Sequence, residues 1–258
     1  MILIDIGNTN IVFAVSSNNL IKKIIRINTK QNKNKLKTLT NSIIVNYSKI
    51  KRLDNSKIAI ISSVVPSLNS IIKDILKKNL IKGFIIKSKD IISFLKINYN
   101  LKEIGADRLA NSTAIIRNKI PNSIVIDFGT ATTFEVIKKN IFLGGIIFPG
   151  VNLSKNTLIN EASLLKNTEI MKTKKVIANN TKKSIQSGFY WGYLLAINGL
   201  IKKISKENKF KPKIILTGGL ANIFKDDIKP KPIVRPNLTL EGLQIIGSIY
   251  NAKKKIII

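Results

Sequence analysis

The residues best suited to chemistry in this chain are a few aspartates that lie next to glycines. Carboxylates are scarce, because only 14 residues are Asp or Glu whereas 44 are Lys or Arg. Five of them lie within two residues of a glycine, and three of these, Asp5, Asp107 and Asp127, do so in short, distinctive segments. Glycine lets a ligand approach the backbone closely and leaves amide N–H groups accessible. These positions therefore suit the binding of phosphate oxygens and cations, and proton transfer by a carboxylate.

The absence of histidine and cysteine narrows the chemistry further. A chain with no cysteine has no disulfide, no thiolate metal site and no cysteine nucleophile, and one with no histidine has no histidine metal site. Proton transfer is left to carboxylate, lysine or tyrosine groups. Any bound metal must be a hard cation held by oxygen atoms.

Two of the acidic turns are built alike, half a chain apart. The opening MILIDIGNTNIVFAV matches IVIDFGTATTFEVI at residues 124–137, so that Asp5 corresponds to Asp127 and Gly7 to Gly129. Such a duplication predicts two similar lobes whose acidic turns face each other across a cleft. Backbone amides of the first turn would hold phosphate oxygens, and Asp5 would meet them through Mg²⁺, because a bare carboxylate repels phosphate. A third glycine turn, LTGGL at 216–220, is suited to a nucleoside.

The elements that must position these turns follow the same order in both halves. The first half predicts strands at 2–7, 10–15, 20–27, 58–65 and 84–87, and helices at 34–50, from Pro66 to about Leu80, and at 106–118. The second half predicts strands at 124–137, 142–147, 213–216 and near Ile233, with intervening helices and a closing helix at 240–250. Strand triplets followed by alternating helices and strands indicate an α/β fold with a mixed sheet in each lobe. We expect the lobes at 1–120 and 121–258.

The composition predicts a globular protein with a strong positive charge. Hydrophobic residues make up 44% of the 258 residues, and the net charge is +30. The charge has two explanations. One is a polyanionic partner, either nucleic acid or an anionic membrane. The other is a codon bias toward Lys, Asn and Ile. The basic residues are scattered, without a dominant tract or interleaved aromatic residues, which favours codon bias. No apolar run approaches the roughly 20 residues of a membrane span, and no signal-type segment precedes the first strand. We expect a cytoplasmic protein with no membrane and no specific nucleic-acid partner.

Five motifs, taken together, resemble those of type III pantothenate kinase, a family in the superfamily of actin, sugar kinases and Hsp70-type ATPases. They are DIGNTN at 5–10, GADR at 105–108, DFGTATTF at 127–134, NTKKSIQSG at 180–188 and TGGLA at 217–221. The set covers nearly the whole chain in order. The resemblance implies an actin-like ATPase fold with two ribonuclease H-like lobes around a nucleotide cleft. It also implies ATP-dependent phosphorylation of pantothenate to 4′-phosphopantothenate, the first step of coenzyme A biosynthesis.

The resemblance implies a role for each matching residue. The first motif binds the ATP phosphates, with Asp5 near Mg²⁺, through Asp5, Ile6, Gly7, Asn8, Thr9, Asn10, Ile11 and Val12. Asp107 accepts the proton of the substrate hydroxyl, Thr130 contacts ATP and Asp127 binds a monovalent cation, K⁺ or NH₄⁺. The pantothenate pocket is formed by Gly105, Ala106, Asp107, Arg108 and Thr181. In the family the enzyme is a homodimer, and the residue matching Thr181 reaches the neighbour's site. The nucleoside is expected against Gly218 and Gly219.

The loop before GADR departs from the family pattern. The family has YxNPxxxGADR, whereas this chain has Asn98-Tyr99-Asn100-Leu101 at the corresponding place. The tyrosine is one position late, and Leu101 stands where proline is expected. Tyr99 would contact the substrate if the proline-free loop shifted its register.

Structural roles remain alternatives for the same residues. Asp107 and Arg108 could be a helix N-terminal acid and an ion pair, and Asp5 and Asp127 could cap turns. For the aromatic residues of FYWGY at 189–193, packing in the core or at an interface is favoured over base stacking. Two other functions also remain. A regulatory or nucleic-acid-binding relative of the same fold is favoured by the charge, whereas a nuclease is disfavoured because its acids would lie on one sheet.

Overall fold

The structure is a computed structural model that describes residues 1–49, 57–93, 95–162 and 164–255. The chain forms two compact units, one of Met1–Lys119 with Leu238–Ile258, and one of Ile120–Asn237. The first boundary is one residue from the expected position. The closing segment, which we expected in the second lobe, belongs to the first unit.

The elements follow the chain in the order β1 (Ile2–Ile6), β2 (Asn10–Ser17), β3 (Leu20–Asn28), α1 (Lys33–Ser48), β4 (Ile58–Ser63), α2 (Pro66–Lys78), β5 (Lys82–Ile85), α3 (Ser88–Ile91), β6 (Lys96–Ile97), α4 (Ala106–Arg117), β7 (Ser123–Phe128), β8 (Ala131–Lys138), β9 (Ile141–Pro149), α5 (Val151–Glu161), α6 (Thr181–Glu207), β10 (Lys213–Gly218), α7 (Ala221–Phe224), β11 (Ile233–Val234) and α8 (Leu238–Lys255). The predicted strand at 84–87 begins earlier, and Ile50, the predicted last residue of α1, lies outside the described residues.

The sheet of the first unit has the strand order β3-β2-β1-β4-β5. β1 pairs antiparallel with β2 and parallel with β4. Because side chains alternate along a strand, Ile2, Ile4 and Ile6 face a core shared with α1 and α2, and Asp5 faces the opposite side of the sheet. Asp5 thus belongs to the central strand of this sheet, at its carboxyl end.

The closing helix α8 packs on α4 within the first unit. The two helices approach so closely that a Cβ atom on Gly242 would lie 1.9 Å from the carbonyl oxygen of Ala110. Nearby, the hydroxyl of Thr239 donates a hydrogen bond of 2.9 Å to Asn111 Oδ1. This contact explains why the segment after Leu238 belongs with the amino-terminal part of the chain.

The sheet of the second unit repeats the arrangement of the first. Its strands follow the order β11-β10-β7-β8-β9, with β7 antiparallel to β8 and parallel to β10. β7, β8, β9, β10 and β11 thus correspond to β1, β2, β3, β4 and β5. The duplication that the two acidic turns predict is therefore present in both sheets, and the mixed α/β class is confirmed.

The core of the second unit is built around the 27-residue helix α6. Tyr190 is fully buried and stacks on Phe224 at 5.5 Å between ring centroids, while Tyr193 is also buried. Phe189 and Trp191 are partly buried against the same core. Core packing accounts for the two tyrosines, in agreement with the sequence, which favoured packing in the core or at an interface over base stacking.

Candidate active site

The first acidic turn is a short exposed connection whose shape is fixed by backbone hydrogen bonds. Gly7 N–H donates to the carbonyl of Asn10 at 2.9 Å, closing the turn between β1 and β2. The hydroxyl of Thr29, just after β3, donates to the carbonyl of Gly7 at 2.7 Å, and its N–H donates to the carbonyl of Thr9 at 2.9 Å. Asn8 and Thr9 themselves are exposed. The residues at the tip are therefore held in place while remaining accessible to a ligand.

Next to this turn, Asp5 lies in register with Ser62 of the parallel strand β4. Residues paired in this way point to the same face of the sheet. The Ser62 hydroxyl is fully buried, and it has no hydrogen-bond partner in the described part of the chain. A buried hydroxyl without a partner is uncommon, so it marks a place where a ligand or bound water would be stabilised.

The GADR segment forms the first turn of α4. Gly105 is the residue that precedes the helix, and Asp107 Oδ1 accepts a hydrogen bond of 2.8 Å from the backbone N–H of Arg108. A Cβ atom at position 105 would lie 2.6 Å from that carboxylate oxygen. Glycine is therefore needed at this position, because any larger residue would displace the Asp107 carboxylate.

The carboxyl group of Asp107 has an unusual electrostatic environment. Burial raises its pKa above the ordinary aspartate value, although the neighbouring N–H and charge of Arg108 act in the opposite direction. A raised pKa means that the carboxylate is less well stabilised than in water and has a higher proton affinity. Functional acids and bases commonly have such perturbed values, so Asp107 is a candidate proton acceptor on physical grounds as well.

Tyr99 lies beside the GADR segment despite its shifted position in the sequence. The Arg108 guanidinium lies over the Tyr99 ring at 5.6 Å from the centroid, and the Arg108 side chain is only 5% exposed. This is a cation–π arrangement. The structure thus brings together Tyr99, Gly105, Asp107 and Arg108, the predicted substrate-binding set of the first unit, and their contact with substrate stays a prediction.

In the second unit, the Asp127 turn lies against the third glycine turn. Thr217 of β10 is in register with Asp127 of β7, and the next residue, Gly218, has a φ of +86°. A Cβ atom on Gly218 would lie 2.6 Å from Asp127 Oδ1 and 2.6 Å from the backbone of Phe128. Only glycine fits here, because a side chain would collide with the Asp127 carboxylate and with the backbone of Phe128.

The remaining predicted nucleotide contacts lie on the turns that follow β7 and β10. Thr130 is exposed at the tip of the β7–β8 turn, which is closed by a hydrogen bond of 3.1 Å from Gly129 N–H to the carbonyl of Ala131. Within the described part of the chain, and apart from the residues on either side, no heavy atom lies within 4 Å of a Cβ built on Gly219, so the backbone there is open. The second unit therefore brings together Asp127, Gly218 and their flanking turns, and their roles toward nucleotide stay a prediction.

Thr181 lies elsewhere in the second unit. It is the first residue of α6 and follows Asn180, whose side chain accepts a hydrogen bond of 3.0 Å from Lys183 N–H. Thr181 lines an apolar cavity of about 490 Å³ whose other walls are Phe148, Leu158, Leu165, Ser184, Ile185, Gly188, Phe189, Gly192 and Tyr193. None of the acidic turns contributes to this lining.

One buried acid was not identified from the sequence, because no glycine lies within two residues of it. Glu135 is completely buried in β8, and its Oε1 accepts a hydrogen bond of 2.8 Å from the Thr133 hydroxyl. An acidic residue between Phe134 and Val136 in a predicted strand, in a chain with 14 acids, was the signal in the sequence that could have identified it.

None of the helices in the described ranges combines the length and the apolar character needed to cross a membrane.

No group of three or more acidic side chains that could hold a metal occurs among the residues that the structure describes. Asp5 and Asp127, the two carboxylates predicted to bind cations, each lie near the carboxyl end of a central strand.

Comparison with protein families gives one match that covers most of the chain. The family model for type III pantothenate kinase matches residues 1–203. A type III pantothenate kinase of Pelagibacter ubique is 41% identical over 242 residues, which are 93% of this chain and 95% of that protein. Another, from Desulforapulum autotrophicum, is 39% identical over 255 residues, which are 96% of each chain.

Comparison with solved structures bears on the fold. A Campylobacter jejuni protein assigned to the Baf family of transcriptional activators superposes with a TM-score of 0.62 at 22% identity, over 98% of this chain and 100% of that one. An inorganic polyphosphate/ATP-glucomannokinase from Arthrobacter sp. strain KM gives a TM-score of 0.53 at 13% identity, over 97% of this chain and 98% of that one. The expected fold, two ribonuclease H-like lobes of the actin-like ATPase type, is confirmed.

Proposed function

Because the chain belongs to the type III pantothenate kinase family, we propose a residue-level account of how it performs the family's reaction. The protein transfers a phosphoryl group from ATP to pantothenate and forms 4′-phosphopantothenate, the first step of coenzyme A biosynthesis. The observation that carries this function is the family match over residues 1–203, which includes the GADR segment with its partly buried carboxylate.

The function is tested by measuring ADP release from the purified protein with ATP alone and with ATP plus pantothenate. We expect ADP to form only with pantothenate, and mass spectrometry to detect one phosphopantothenate for each ADP. Equal ADP release in the two reactions would mean that pantothenate is not the acceptor.

Phosphoryl transfer depends mainly on the positioning of the reactants and the neutralisation of their charge. In our proposal, Asp107 accepts the proton of the 4′-hydroxyl as the oxygen attacks the terminal phosphorus of ATP. Its raised pKa supports this role, since a carboxylate with greater proton affinity is a better base. Arg108, whose guanidinium is held over the Tyr99 ring, would bind an anionic group of the substrate. Ala106 and Gly105 would form the adjacent backbone wall.

The first turn is proposed to bind the phosphates of ATP. Exposed Asn8 and Thr9 on a turn fixed by hydrogen bonds support this role, because backbone N–H groups at such turns are suited to anions. Asp5 would hold Mg²⁺ with the phosphates and waters completing its coordination, as is usual for this ion. The buried Ser62 hydroxyl in register with Asp5 fits this assignment, since it offers an oxygen that has no protein partner among the described residues. Bound Mg²⁺ would neutralise phosphate charge.

Asp127 is proposed to hold a monovalent cation, K⁺ or NH₄⁺, while Thr130, Gly218 and Gly219 contact the nucleotide. The donor atoms near Asp127 support a hard cation, because its paired neighbours Thr133 and Thr217 contribute hydroxyl oxygens.

We predict that activity depends on potassium through Asp127. At constant ionic strength the initial rate should be low in sodium and should rise with potassium or ammonium, because Asp127 provides the negative charge that binds the cation. Asp127→Asn should remove this activation and lower the rate in potassium at least tenfold. A wild-type rate that is the same in sodium and potassium would contradict the cation role and leave Asp127 as a turn-capping residue.

The protein is further proposed to be a cytoplasmic homodimer, in keeping with ATP as its phosphate donor. Support for the dimer comes from the surface around α6. The apolar cavity lined by Thr181 opens there, and several large apolar side chains of the same unit are exposed, namely Ile147, Leu153, Leu158 and Leu195. Large exposed apolar surfaces commonly mark interaction sites. A two-fold dimer would bring the same surface of both subunits together.

A further inference from the structure

We infer that Glu135 is a positioning residue for the monovalent cation, because it fixes the Thr133 hydroxyl so that its lone pairs remain available to the cation at Asp127. The inference rests on the cation role proposed above for Asp127. It adds Glu135 to the residues that serve the cation, and it gives the Thr133 hydroxyl, already proposed as an oxygen donor, a fixed orientation.

The sheet places the Thr133 hydroxyl beside the proposed cation position. Asp127 and Thr133 are direct partners across the antiparallel β7–β8 pair, and Thr217 is the partner of Asp127 on the other side. Paired residues share a face and have Cβ atoms about 4.5–5.5 Å apart in antiparallel strands. This face is opposite to the apolar core, to which Phe128 and Phe134 contribute. Three oxygen-bearing side chains thus lie in a row across the sheet.

The hydrogen bond between Thr133 and Glu135 determines where the hydroxyl proton points. Thr133 Oγ1 donates to Glu135 Oε1 at 2.8 Å, and Glu135 has no exposed surface. A threonine hydroxyl has one proton and two acceptor lone pairs. Once its proton is directed to Glu135, the oxygen can offer only lone pairs in other directions, and lone pairs are what a cation requires.

Only a carboxylate at position 135 keeps the Thr133 hydroxyl proton directed away from the cation. An ionised carboxylate can only accept hydrogen bonds, whereas a glutamine amide can present either an oxygen or an NH₂ group. If the NH₂ group donated to Thr133, the hydroxyl proton would turn toward the cation and repel it. Glu135→Gln keeps the size of the side chain but permits this reversed hydrogen bond, which weakens cation binding.

The test measures potassium binding by its effect on thermal unfolding. The full-length protein, saturated with a non-hydrolysable ATP analogue, is titrated with potassium chloride while tetramethylammonium chloride keeps the ionic strength constant. Ligand binding to the native state raises the Tm, so the half-saturating potassium concentration can be read from the titration. The variants are Glu135→Gln, Thr133→Val and Thr133→Ser. The matched control is Thr132→Val on the opposite face of β8, because the Thr132 hydroxyl is buried without a partner within the described residues.

We expect Glu135→Gln and Thr133→Val to raise the half-saturating potassium concentration about tenfold, as loss of one good hydrogen-bonded ligand implies. Thr133→Ser, which keeps the hydroxyl, and Thr132→Val should match the wild type. A wild-type midpoint in both Glu135→Gln and Thr133→Val would overturn this inference while the role of Asp127 stands. Absence of any potassium effect in the wild type would overturn both. Pantothenate-dependent ADP release, measured separately, would still report whether the kinase assignment holds.

Discussion

Asp107→Asn is expected to lower kcat by about 10²- to 10⁴-fold, the usual effect of removing a general base. Asparagine has nearly the same shape and can still accept the hydrogen bond from Arg108 N–H through its side-chain oxygen. It cannot accept the proton of the substrate hydroxyl. The affinity for ATP, measured by calorimetry, should stay within a few-fold of the wild type, because the proposed phosphate contacts lie on other turns.

The raised pKa of Asp107 predicts two further effects, one on the pH profile of kcat/KM and one on stability. In the wild type, the acid limb of the kcat/KM profile should lie at a higher pH than an ordinary aspartate would give, because the base must be unprotonated. A carboxyl whose folded pKa is raised binds its proton more tightly in the native state. The free energy of unfolding therefore falls as pH rises from the unfolded pKa through the folded one. Asp107→Asn should remove this cost and be at least as stable as the wild type at neutral pH.

The control for this experiment is Asp74→Asn, an acid-to-amide change at an exposed position of α2 in the same unit. It should leave kcat, the pH profile and the Tm unchanged. Turnover of Asp107→Asn within a few-fold of the wild type would instead mean that Asp107 is structural. A large loss of both turnover and Tm would contradict the expected stability of the variant and would also indicate a structural role for Asp107.

Activity should return when two inactive proteins, Asp107→Asn and Thr181→Val, are mixed under conditions that allow subunit exchange. If each site uses Asp107 from one chain and Thr181 from the other, a mixed dimer has one intact site and one doubly damaged site. Random exchange of equal amounts makes half of the dimers mixed, so roughly a quarter of all sites are intact and about a quarter of wild-type activity is expected.

The matched control mixes Asp107→Asn with Asp5→Asn. Both residues belong to the first unit, and our proposal takes them from the same chain of a dimer. Every site of such a mixed dimer carries one lesion, so this mixture should stay inactive. If exchange is demonstrated by mass spectrometry and the Thr181→Val mixture also stays inactive, Thr181 does not act in the partner's site.

The duplicated acidic turns and their strands could be predicted because the signal was local. An alternating strand that ends in Asp and Gly specifies a hairpin from a few residues, and it occurs at both Asp5 and Asp127. The short elements α3 and β6 escaped prediction, since four or two residues are too few to show a period.

The features that escaped prediction depend on contacts between residues distant in sequence. The closing helix was expected in the second lobe but belongs to the first unit, because only the packing of Gly242 on Ala110 reveals its partner. In the same way, the motif located Asp107, but its burial and raised pKa result from tertiary structure. The contact between Tyr99 and Arg108 needed the path of the loop, which a missing proline obscured.

The return of α8 to the first unit has a consequence for how the protein is made. A ribosome synthesises β1 to α4 first, then the 118 residues from 120 to 237, and only then the helix that packs on α4. At about 5–20 residues per second, the interval lasts roughly 6 to 24 s. During that time the part of α4 that contacts α8, including Ala110 and Asn111, lacks this partner, whereas the intervening unit is complete in one continuous stretch. The unit that begins first on the ribosome is therefore finished last.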